Sequence, residues 1–71
     1  MDTSTFELGE QEYIELNKLL KAENLVETGG EAKFLIKSKE VLLNNEIEIQ
    51  VRKKIRKGDT IQFFDNLIKV I

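Results

Sequence analysis

The chain has 71 residues, 41% of them hydrophobic, with 11 Lys and Arg against 13 Asp and Glu and a formal net charge of −2. It has no cysteine and no histidine, which removes disulfides, thiolate nucleophiles, imidazole bases and the usual zinc ligands together. No apolar run nears the ~20 residues that cross a bilayer, and no basic and apolar leader opens the chain. The expectation is one small cytoplasmic domain over residues 1–71, held by packing alone or by a partner.

Residues 3–8 alternate weakly and suggest a short strand with Phe6 and Leu8 on one face, stopped by Gly9. Residues 10–23 read as a helix, because Tyr13, Ile14, Leu16, Leu19 and Leu20 make a broad apolar stripe at helical spacing. Glu10, Glu12 and Glu15 fall in its early turns and Lys18 and Lys21 near its end, which suits the helix dipole. Asn24 is a candidate C-terminal cap. Leu25 and Val26 then plug the space before a second helix. Thr28 and Glu31 have the spacing of a capping box. Ala32, Leu35 and Ile36 form the buried stripe of that helix, with Ala32 small enough for a close helix contact. Lys33 and Lys37, four apart, share its exposed side.

From Val41 the period changes to alternation. Val41 and Leu43 share a face, and Asn44-Asn45 suits a two-residue hairpin turn with positive φ. Ile47, Ile49 and Val51 alternate with Glu46, Glu48 and Gln50 in the expected return strand. Lys57-Gly58-Asp59 marks a second turn, residues 60–64 another strand, Asp65-Asn66 a third turn and residues 67–71 the last strand. The expected fold class is α+β: two helices packed on a small, mostly antiparallel sheet of four to five short strands.

Charge is unevenly spread along the chain. Residues 1–30 carry −5, residues 31–58 carry +4 and residues 59–71 carry −1. An acidic total therefore does not argue against a polyanionic partner, because the bases are concentrated where one face can collect them.

The pattern Leu25-Val26-x-Thr28-Gly29-Gly30-x-Ala32-Lys33-x-x-Ile36, followed by Glu40-Val41-x-x-Asn44 and by basic residues before Lys57-Gly58-Asp59, resembles the S4-type RNA-binding domain. More narrowly it resembles the small standalone bacterial branch called YaaA-like or YbcJ-like, and the resemblance covers roughly residues 8–64. It implies an αL motif, in which two helices and a hairpin build a surface that docks on structured RNA, ribosomal RNA among the candidates. Many family members carry Ser-Arg at Thr28-Gly29, and that arginine commonly faces RNA phosphate. Its replacement here shifts the expected grip elsewhere. Lys39 stands where many members have a helix-ending glycine, so strain or a different exit geometry is expected there. Asn45 stands where many have the glycine of an Asn-Gly turn.

Arg52, Lys53, Lys54 and Arg56 form the strongest charge feature, and phosphate neutralisation with counterion release is what such a cluster supplies. The same cluster also fits a solvated sheet edge. Lys33 and Lys37 are the second part of the expected RNA surface. Gly29, Gly30, Lys39 and Lys57 are secondary candidates. Gly29-Gly30 sits at a helix N-terminus where a phosphate can approach, although a tight helix–helix turn with Thr28 as cap is the better explanation of the pair. No Gly-Lys-Ser/Thr follows, which excludes a Walker-type loop. Burial is expected for Tyr13, for Phe34 and for one of Phe63 and Phe64, so base stacking is expected to be minor. The acidic first helix is expected to face away from RNA. No paired acid and base is evident, so the chain is not expected to be an enzyme or to hold a cofactor or metal, and a monomer without membrane association is expected. Two other readings remain open at this level: a protein-interaction module using the acidic first helix, and a DNA-associated accessory protein.

Overall fold

Two strands, two helices and five further strands follow one another along the chain, and the structure, a computed structural model, describes residues 2–71. In order they are β1 (Asp2–Phe6), β2 (Ile14–Glu15), α1 (Leu16–Ala22), α2 (Gly29–Lys37), β3 (Val41–Leu43), β4 (Glu46–Ile47), β5 (Lys54–Ile55), β6 (Thr60–Phe63) and β7 (Asn66–Val70). Five strands form a mixed sheet in the order β1-β7-β6-β3-β4, and β2 and β5 form a separate two-stranded sheet. Only β1 and β7 run parallel, with Asp2 opposite Asn66 and Phe6 opposite Val70.

Alternation along the central strands sets which side chains enter the core. Ile61 and Phe63 of β6 and Ile68 and Val70 of β7 are buried, while Gln62 and Lys69 between them stay at least partly exposed. Leu16, Leu19 and Leu20 of α1 and Ala32 and Ile36 of α2 cover that face, with Leu8, Val26, Val41 and Ile55 completing the core. Ala32 is fully buried, and α1 and α2 pack directly against each other.

The first helix is shorter than its apolar stripe suggests. It starts at Leu16, and no acidic residue lies in its first turn. Ile14 and Glu15 instead pair with Ile55 and Lys54 across about half the chain, and Leu16 and Asn17 donate their backbone N–H groups to Lys53 O and Val51 O. Hydrogen bonds to a distant segment thus claim the backbone groups that the first turn would otherwise leave unpaired. The acidic helix expected from the sequence is not formed: Glu10 and Glu12 lie in the connection before β2.

Both helices end in the same way. Asn24 donates to Lys21 O and Leu25 to Leu20 O after α1; Lys39 donates to Ile36 O and Glu40 to Leu35 O after α2. These are paired Schellman bonds, and each needs a left-handed residue, supplied by Asn24 at φ 58° and Lys39 at φ 67°. Lys39 therefore keeps the glycine geometry rather than a different exit. At the start of α2 the Thr28 hydroxyl accepts from Glu31 N at 3.1 Å, while the Glu31 carboxylate accepts from Glu27 N at 2.8 Å, one residue earlier than in a capping box.

Asn44 and Asn45 both have positive φ, 51° and 70°, as a twisted two-residue hairpin turn requires. The return strand is far shorter than the alternation from Glu46 to Val51 suggests. Only Glu46 and Ile47 pair, and Ile47 and Ile49 are exposed. A local bond from Gln50 N to the Glu48 carboxylate, at 2.9 Å, bends the chain away instead. The last turn falls on Phe64-Asp65 rather than Asp65-Asn66, with Phe64 at φ 55°.

Candidate nucleic-acid interface

The Asn44 turn and Asp59 together fix the exit of the basic segment. Asp59 accepts from Arg56 N at 2.8 Å and from Asn44 Nδ2 at 3.1 Å, and Asn44 Oδ1 accepts from Thr60 N at 2.9 Å. Gly58 at φ 94° closes the turn and donates to Val70 O. The β2–β5 bridge holds the other end, so the run from Arg52 to Lys57 is tied to the fold on both sides.

That run does not form one cluster. Arg52 reaches a groove of about 510 Å³ lined also by Asn17, Gly29, Gly30, Lys33, Lys37 and Val51. Here three cations from two distant segments line one groove that runs along α2 from Gly29 to Lys37. Gly29 and Gly30 occupy the first turn, where backbone N–H groups lack intrahelical acceptors and the helix dipole favours an anion. Neither glycine has positive φ; a Cβ would meet open space at Gly29 and only an ordinary contact, 3.9 Å from the Thr28 hydroxyl, at Gly30. The fold therefore does not demand glycine at either place, contrary to a reading of the pair as a tight turn. Asn17 Oδ1 is buried without a hydrogen-bond partner among the described residues, a burial that costs roughly 1–3 kcal/mol.

Lys54 and Arg56 go elsewhere. The Lys54 ammonium lies 5.0 Å and the Arg56 guanidinium 5.7 Å from the centroid of the Tyr13 ring, within cation–π range. Tyr13 is thus not a core residue: it is 37% exposed, because β2 pairing rather than a helix sets its orientation. Phe34, expected to be buried, is 69% exposed and lines a hollow with Gly30, Lys33, Lys37 and Ser38. Phe63 is buried and Phe64 exposed, as expected of one of the pair. Lys53 is half-buried and outside both cation groups. Lys57 lines a small hollow with Glu7, Gly9 and Ile71, and Lys39 sits beyond the far end of α2. Of the secondary candidates only Gly29 and Gly30 join the groove. Asn17 joins the groove without having been singled out, and Tyr13, expected in the core, joins Lys54 and Arg56 instead; no local pattern marks either placement, since both follow from pairing with residues 51–55.

Two helices against a sheet, with cations lining a groove along the second helix, is an arrangement of the αL type. The S4 domain family model matches residues 6–71, and this chain belongs to the S4 domain family. It is 35% identical over 68 residues to "Putative RNA-binding protein YbcJ" of Escherichia coli K12, which covers 96% of this chain and 97% of that protein. The same identity and coverage hold for "Uncharacterized protein YbcJ" of Shigella flexneri. The solution structure of YbcJ from E. coli superposes with a TM-score of 0.73 at 36% identity, covering 94% of this chain and 85% of that one, and is described as revealing an αL motif involved in RNA-binding.

Proposed function

We propose that this chain is a non-catalytic RNA-binding protein that docks on structured RNA, ribosomal RNA among its candidates, as a monomer in the cytoplasm. The observation that carries this reading is the convergence of Lys33, Lys37 and Arg52 on one groove along α2, which begins at two glycines the fold does not require. Cations set against exposed backbone N–H groups suit phosphate oxygens, and arginine adds a planar fork for them. Lys54 and Arg56 grip a neighbouring stretch of backbone, while Lys53, Lys39 and Lys57 add only distant charge. The RNA-binding description of the E. coli relative and its matching fold support the same reading. The acidic-helix alternative loses its helix, since α1 contains no acid and Glu10 and Glu12 lie in the connection before β2.

The test is electrophoretic retention of a structured RNA by the whole chain and by Arg52→Glu and Lys33→Glu variants, with duplex DNA as competitor at one salt concentration. Each reversal is expected to weaken retention at least ten-fold with an unchanged circular-dichroism spectrum. Equal retention by all three proteins overturns the groove as the binding surface, and preference for duplex DNA overturns RNA as the partner.

A further inference from the structure

Beside the basic groups lies a hollow that the backbone-binding reading does not use. It measures about 600 Å³ and is lined by Gln11, Glu12, Tyr13, Ile14, Glu15 and Lys18. Its charge is mainly acidic, and Lys18 is already engaged with Glu15 at 3.5 Å. A phosphate is repelled there. A neutral group with hydrogen-bond donors is not. Tyr13 is the residue the hollow shares with the cations, because Lys54 and Arg56 lie against the same ring. An aromatic ring, an aliphatic neighbour in Ile14, free acceptors on Glu12 and cations within one residue's width form the chemical complement of a single nucleotide: base in the hollow, phosphate outside it.

We infer that this hollow takes one unpaired nucleobase, stacked on Tyr13, while its phosphate rests on Lys54 and Arg56. Unstacked bases are read by aromatic faces, arginine planes and hydrogen bonds to their edges. The Glu12 carboxylate is in no ion pair among the described residues, and it can accept two hydrogen bonds from adjacent donors. Guanine offers such a pair at N1–H and N2–H2, whereas adenine presents an acceptor at the equivalent ring position. The expected ligand is therefore an unpaired guanosine next to a helical stem. The inference rests on the RNA-binding reading and adds a base-specific contact to it.

Tyr13 is the only tyrosine, and the chain has no tryptophan, so tyrosine emission reports on this ring alone. The probe is an RNA stem-loop with one bulged guanosine, compared with the same stem bearing an abasic bulge, a bulged adenosine or no bulge. With the wild-type chain, the guanosine RNA is expected to bind on the order of ten-fold tighter than the abasic one, the effect of one base–aromatic stack, and to quench tyrosine emission. Glu12→Gln is expected to narrow the guanosine-over-adenosine preference, and Tyr13→Ala to erase the difference between bulged and abasic RNA. Equal affinity of the wild-type chain for all four RNAs, without quenching, overturns the base pocket while leaving backbone binding intact. Binding of none of them at low salt overturns both.

Discussion

Lys39 shows how a single backbone angle divides stability from function. A left-handed residue other than glycine costs roughly 1–2 kcal/mol, and Lys39 bears that at φ 67° where asparagine serves the equivalent place after α1. Lys39→Gly removes the steric cost but adds freedom to the unfolded chain worth about 0.5–1 kcal/mol. The expected net is a gain of about 0.5–1 kcal/mol, read as a rise in Tm of about 2–8 °C. RNA affinity should hardly change, because Lys39 lies outside the groove. Gly29 and Gly30 make the opposite case. Both are helical and uncrowded, so alanine at either is expected to raise stability by up to about 1 kcal/mol in thermal melts. If phosphate approaches the backbone there, the added methyl weakens RNA retention in the same variants. Stability up with retention down marks a binding surface; both unchanged or rising together marks plain helix.

Local rules carried much of the architecture. Thr28 and Glu31 announce the start of α2, Asn44-Asn45 announces a turn with positive φ, and the period change at Val41 locates the switch from helix to sheet, since each signal is complete within a few residues. The failures around the first helix share one cause. Tyr13, Ile14, Leu16 and Leu20 fit helical spacing, yet residues 14–15 bond to residues 54–55, and no local window contains both partners. The same remote pairing turns Tyr13 outward and places Asn17 at the groove, so these two site residues were illegible, whereas Lys33, Lys37 and Arg52 were visible as charge. What charge alone could not reveal is that Arg52 parts company with Lys54 and Arg56. The groove also depends on how closely the helices pack. Ala32→Leu forces a larger side chain into the fully buried α1–α2 contact, with an expected loss of about 1–3 kcal/mol in denaturant titrations. Arg52 and Lys33 would then be separated, so RNA retention should fall in this variant even at temperatures where it remains folded.

Across the whole molecule the net charge is a poor guide to behaviour. A chain of charge −2 brings Lys33, Lys37 and Arg52 together at one groove, and on the proposed reading this is the face that meets RNA. Five cations, Lys33, Lys37, Arg52, Lys54 and Arg56, are expected to give log K against log salt a slope of roughly −4. Each removed cation should lower that slope by about 1, as measured by fluorescence anisotropy across a potassium chloride series. A slope near zero excludes phosphate contacts as the source of affinity. The parallel pairing of β1 with β7 bears on how the molecule comes to exist at all. Asp2 to Phe6 can find their partners only when residues 66–70 are present. Ile71 N donates to Phe6 O and Leu8 N to Ile71 O, so the seam extends to Ile71. On a translating ribosome the edge formed by residues 2–6 would therefore stay unpaired until residues 66–71 emerge. The contacts of greatest sequence separation form last, and closure of this seam is expected to be the slow step of folding.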